Sequence, residues 1–158
     1  MADQRHMQLS GNHTFNAPPS VMWNLLMDEH VLARLVPGVT RLERTGENTF
    51  ASTLAIKLGP VSGSFNGSLE LEELKEPESF VLKVQQKSSI GNAASAINIK
   101  LTPVNEQQTE MEFNGVVKLS GLLASMGQRV VGGVSGTLTK QFFSNLESEL
   151  EKKQSAST

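Results

Sequence analysis

Cysteine and tyrosine are absent from the 158 residues, tryptophan occurs once and proline six times. Without cysteine there is no disulfide, thiolate nucleophile, zinc knuckle or iron–sulfur ligation, and the absence suits a reducing compartment. An excess of one charge sign is also lacking, since 14 Lys and Arg stand against 16 Asp and Glu, a formal net charge of -2. A nucleic-acid surface needs cations clustered on one face, and this balance argues against one. Long hydrophobic runs are missing too. The nearest, Leu119 to Leu138, contains Arg129 and is diluted by Gly, Ser, Thr and Gln. It falls short of the roughly 18 uninterrupted apolar residues of a membrane span and reads as a buried helix. Residues 1–6 lack the apolar centre of a signal peptide, so a cytoplasmic chain is expected. No His/Asp/Glu group has metal-ligand spacing, and neither metal nor cofactor is expected.

What is present suits one ordered domain. At 17.1 kDa and 38% hydrophobic residues, the chain is long enough to bury a core without a staple. The expected organisation is a single domain over 1–153 followed by a short, frayed polar tail over 154–158.

Met7, Leu9, Gly11, His13 and Phe15 alternate with polar residues, as in a strand with one buried face. Asn16-Ala17-Pro18-Pro19 ends it and starts a short helix over 21–27. A second short helix over 29–36 stops at Pro37-Gly38. From Val39 to Leu119 the period stays near two, with turns at Gly59-Pro60, Lys75–Glu78 and Pro103–Gln107, predicting about seven antiparallel strands in all. Then the period changes. Leu122, Met126, Val130, Val134, Leu138, Phe142, Leu146 and Leu150 recur every four residues, which predicts one long helix from Gly121 to Lys153 with a solvated, charged end. Only that helix is long enough to cover one face of a curved sheet. A curved sheet around one helix leaves room between them for an apolar ligand.

Three stretches of sequence carry a resemblance to a known family. They are Leu35-Val36-Pro37-Gly38-Val39, the segment Lys57–Gly67 with its Gly-Pro turn followed by Gly63-x-Phe65-x-Gly67, and Met126-Gly127-Gln128-Arg129 leading to Gln141-Phe142-Phe143. The chain resembles the CoxG family of carbon monoxide dehydrogenase subunits, within the polyketide cyclase, lipid-transfer and Bet v 1-like (SRPBCC, START-like) superfamily. The resemblance implies an α+β helix-grip fold: a curved antiparallel sheet wrapped around a long C-terminal helix, with two short helices after strand 1. It also implies a non-enzymatic carrier of a quinone- or lipid-like molecule, accessory to a molybdenum hydroxylase of the carbon monoxide dehydrogenase type. Peripheral contact with the inner face of the membrane belongs to the same implication, although the C-terminal extension that some members use for it is not seen before Thr158.

Shared strand parity and the helix period nominate the ligand-binding residues: Leu54, Ile56, Phe65, Leu82, Val84, Ile97, Ile99, Phe113, Met126, Val130, Gly133, Val134 and Leu138. None is a catalyst. Inward strand positions offer His13 as the exception, read as a strand-end histidine touching water or a backbone carbonyl, with ligand contact as the alternative. Arg129 reads as an edge cation with a carboxylate partner, or as a holder of a polar ligand head. Glycines 63, 67 and 115 mark sheet curvature. A cyclase or dehydratase on the same fold, or a protein-binding assembly factor with a filled core, remain the competing classes.

Overall fold

A computed structural model describes residues 4–156. In chain order the elements are β1 (Gln4–Phe15), α1 (Pro19–Leu26), α2 (Glu29–Leu35), β2 (Val39–Arg44), β3 (Thr49–Leu58) and β4 (Val61–Lys75). They continue with β5 (Ser79–Ser88), β6 (Gly91–Asn105), β7 (Gln108–Ser120), α3 (Leu122–Ser125) and α4 (Gln128–Ala156). Positions 1–3 of the expected domain and 157–158 of the expected tail lie outside the described residues. The remainder of that tail continues α4, and the Gln154 side chain donates to the Asn16 carbonyl at 2.8 Å.

The alternating strands form one seven-stranded antiparallel sheet of order β1-β7-β6-β5-β4-β3-β2. Sequence neighbours pair by hairpins, and β1 closes the order against β7 along its whole length, from Gln4↔Ser120 to Phe15↔Thr109. Parity decides burial. Phe50, Ser52 and Ile56 of β3, and Phe65, Leu69 and Leu71 of β4, are buried on the inward face. The β6–β7 pairing runs further than the sequence predicts, to Asn105↔Gln108, with a register shift after Pro103.

Local chemistry starts the short helices. Pro19 opens α1 at a position that needs no amide proton. Asp28 caps α2 by accepting from the His30 and Val31 amides at 2.9 and 3.3 Å. Together α1 and α2 bury Met22, Trp23, Leu26, Leu32 and Leu35 against Phe15, Phe50, Phe80 and Leu146.

The C-terminal helix departs from the sequence reading in two ways. It is broken: α3 ends at Ser125 with Met126 as its C-cap, Gly127 has φ of +86°, and α4 begins at Gln128. Glycine at that conformation terminates one helix in a way other residues resist, and the Gly127 carbonyl then accepts from the Val131 amide at 3.2 Å to start the next. In addition, a strict four-residue repeat drifts by about 40° per step on a helix of 3.6 residues per turn. Leu146 and Leu150 are buried as the repeat predicts, whereas Leu123, Val131 and Phe143 are buried one residue on from the predicted Leu122, Val130 and Phe142, and Leu122 is more than half exposed.

The charged end of α4 is not simply solvated. Glu149 is buried and accepts from Arg34 of α2 through Nε at 3.0 Å and Nη2 at 2.7 Å, and from Lys152 Nζ at 3.0 Å. Asn145 adds a bond to the Leu35 carbonyl at 3.0 Å. These contacts tie the second half of α4 to α2. The Arg34 hydrogen bond, ahead of the opposing effect of burial, holds the Glu149 carboxyl below its ordinary pKa. A group with a lowered folded-state pKa binds protons more readily when unfolded, so it stabilises above the unfolded value and loses that contribution on acidification. The Glu149 contribution is therefore complete above about pH 4.3, the ordinary glutamate value, and falls as pH drops below it. In urea titrations, Glu149→Gln should lower stability at pH 7, and the gap from the unmodified protein should narrow towards pH 3. A pH-independent gap would assign the effect to packing.

Candidate functional site

The inward face of the sheet and α4 do not meet everywhere. Between them lies a cavity of about 230 Å³. Its sheet wall comes from Leu9 of β1, Leu54 and Ile56 of β3, Leu82 of β5, Ile97 and Ile99 of β6, and Met111 and Phe113 of β7. The helix wall is Leu138, Thr139, Phe142 and Phe143, and Val36-Pro37 closes the side next to α2. Val36-Pro37 is pinned against β3 because the Ala55 amide donates to the Gly38 carbonyl at 2.8 Å. No ionisable side chain is among these lining residues. An apolar cavity of about 150 Å³ is enough to stay dry and admit benzene, so this one has room for a larger apolar group.

Of the residues nominated from sequence, Leu54, Ile56, Leu82, Ile97, Ile99, Phe113 and Leu138 come together here. Phe65, Met126, Val130 and Val134 lie elsewhere, packed with Val61, Leu123 and Val131 beneath the start of α4. Val84 packs against the main core. Gly133 is a correction. It is exposed, and a Cβ built on it meets nothing within 4 Å. The break at Gly127 and the helix drift turn it away from the sheet. Gly133→Ala and Gly136→Ala should each raise stability by about 0.8–1.0 kcal/mol, the helix-propensity difference, without changing apolar-probe binding. Thermal melts and a probe titration check this, and lost binding would put either glycine in the ligand's path.

Sequence reasoning missed Leu9, Val36, Pro37, Met111, Thr139, Phe142 and Phe143. Leu9 and Met111 share the inward parity. The two Phe and Val36-Pro37 lie inside stretches that carry the family resemblance, so motif position was the available signal.

His13 has a partner that local sequence cannot supply. Its Nε2 donates to Glu147 Oε1 at 2.5 Å, and its ring lies against Phe143 (centroids 5.3 Å apart, 23° between planes) and Phe15 (4.7 Å). The expected water or backbone carbonyl is replaced by a carboxylate of α4. Arg129 is exposed and makes no ion pair among the described residues. Glu72 on the outer sheet face pairs with Lys83 at 3.0 Å. The outer sheet face has a depression of about 600 Å³ flanked by Lys83, Gln85, Asn98, Asn114 and Lys118. Its polar groups are already solvated there, which favours the inner cavity as the apolar site.

The architecture is that of the Bet v 1-like and START helix-grip proteins. Residues 11–151 match the model of the CoxG family of carbon monoxide dehydrogenase subunits, and the chain belongs to that family. Among solved structures it is similar to a conserved protein from Geobacillus kaustophilus, with 27% identity, a TM-score of 0.89, and 92% of this chain and 96% of that one covered. A START superfamily protein from Mycobacterium smegmatis aligns with a TM-score of 0.73 at 11% identity, covering 94% and 99% of the two chains. An aromatase/cyclase from Streptomyces sp. R1128 aligns with a TM-score of 0.72 at 11% identity, covering 94% and 96%. At those identities the last two share the fold alone. No curated protein matches the chain. Among the described residues no helix is long and apolar enough to cross a membrane.

Proposed function

We propose that the protein binds a small hydrophobic molecule, quinone- or lipid-like, between its curved sheet and α4, and acts without turning it over. The observation that carries this reading is the cavity of about 230 Å³ whose lining lacks any ionisable side chain. Catalysis draws on convergent titratable groups, whereas retention of an apolar molecule draws on buried apolar area. The family's name points to carbon monoxide dehydrogenase as the enzyme served, and we extend this to a molybdenum hydroxylase of that type, with peripheral contact at the inner face of the membrane.

One observation favours a second reading. The His13–Glu147 pair packs on Phe143, which lines the cavity, and a histidine held by a carboxylate is the kind of group that moves protons. The test is native purification followed by solvent extraction and mass spectrometry. A stoichiometric apolar compound, recovered chemically unchanged after incubation with the protein, supports the carrier. Conversion that stops in His13→Ala overturns it in favour of the enzyme. Recovery of no small molecule at all supports an assembly factor.

A further inference from the structure

Gln86 is a buried amide, and its Oε1 is the buried side-chain atom without a hydrogen-bond partner among the described residues. Its Nε2 donates to the Oγ of Ser52, also buried, at 3.0 Å. That bond fixes the amide and leaves the carbonyl oxygen as its free edge. An unsatisfied buried acceptor is costly, and such a group calls for an account.

The ladder shows how the pair is built. Ser52 stands opposite Gly67 on β4, and Gly67 stands opposite Gln86 on β5. The hydrogen bond therefore spans a strand that presents no side chain at the crossing point. Gly67 is the last glycine of the Gly63-x-Phe65-x-Gly67 motif, so the motif clears the lane in which the amide lies. Both polar residues share inward parity with cavity-lining neighbours. Ser52 is two residues before Leu54, and Gln86 is four residues after Leu82. Their rung lies between the rungs of those two lining residues.

We infer that Gln86 Oε1 accepts a hydrogen bond from the polar head of the bound molecule, which makes the ligand class amphipathic: an apolar body with a hydroxyl or N–H donor at one end. This rests on the cavity being the binding site. A donor head pairs with the one buried side-chain acceptor left without a partner among the described residues, whereas a head with acceptors only leaves that oxygen unpaired.

The probes are 2-naphthol and 2-methoxynaphthalene, which share a ring system and differ in the donor, titrated calorimetrically into the full-length protein. The wild type should bind 2-naphthol about three- to tenfold more tightly, the range of one net hydrogen bond. Gln86→Met keeps the volume and removes the acceptor, so the two affinities should become equal while 2-methoxynaphthalene binding is retained. A preference that survives Gln86→Met, or its absence from the wild type when both probes bind, overturns the inference and leaves the cavity reading intact. Failure of both probes to bind the wild type overturns the cavity reading itself. Should Gln86→Met not fold, Ser52→Ala releases the amide from its fixed orientation. The preference should then shrink at least twofold, and an unchanged preference overturns the inference.

Discussion

A single methyl group added at Gly67 is expected to destabilise the protein by about 3 kcal/mol, the upper end of what overpacking costs. A Cβ built there lies 1.7 Å from the Gln85 carbonyl oxygen, 2.7 Å from its carbon and 2.9 Å from the Gln86 Cα. All three are backbone atoms of β5, so no rotamer change relieves the contact. The strands must separate, which breaks ladder hydrogen bonds between β4 and β5 and pulls Gln86 from Ser52. Gly11→Ala is the control, because the atoms nearest its Cβ belong to the Phe113 ring, the first at 2.7 Å, and a side chain can give way. For a domain of this size about 3 kcal/mol is a fall in melting temperature of roughly 6–12 °C. A Gly67→Ala protein within about 0.5 kcal/mol of the wild type, the range of ordinary surface changes, would contradict the close approach of these strands.

Leu138→Trp should act on binding instead. Leu138 reaches the cavity from α4 and is only half-buried, facing Leu54, Ile97 and Phe113 across the space. An indole placed there fills volume that a ligand would otherwise take, and filling an apolar void adds contacts without forcing others apart. Affinity for 2-methoxynaphthalene should fall about tenfold or more, a loss of at least about 1.4 kcal/mol, while the melting temperature stays equal or rises. A drop in melting temperature with affinity unchanged would mean that the helix wall is already filled. Isothermal titration and thermal melts on one preparation separate these results.

The strands were legible because period two survives in almost every hairpin, and parity fixes which side chains point inward. The helix was legible in extent but not in phase. The four-residue repeat hides a drift around the cylinder, and Gly127 breaks the helix through its φ of +86°, a property of backbone conformation that composition does not reveal. That is why parity brings six strand residues to the cavity wall, while the helix period nominates Val130, Gly133 and Val134, which lie away from it. Glu149 and His13 show a different limit. A charged helix end reads as solvated until α2 is docked against it, and His13 is 134 positions from its partner Glu147. The Ser52–Gln86 pair was invisible for the same reason, since register across Gly67 brings them together. No local pattern marks either residue.

The most direct test is a crystal structure of the protein soaked with 2-naphthol. The account expects density for one naphthol between sheet and α4, enclosed by Leu54, Ile97, Phe113, Leu138 and Phe142, with its hydroxyl directed to Gln86 Oε1. Naphthol found only on the outer sheet face beside Lys83 and Asn114, with the inner space closed by side chains, would contradict it.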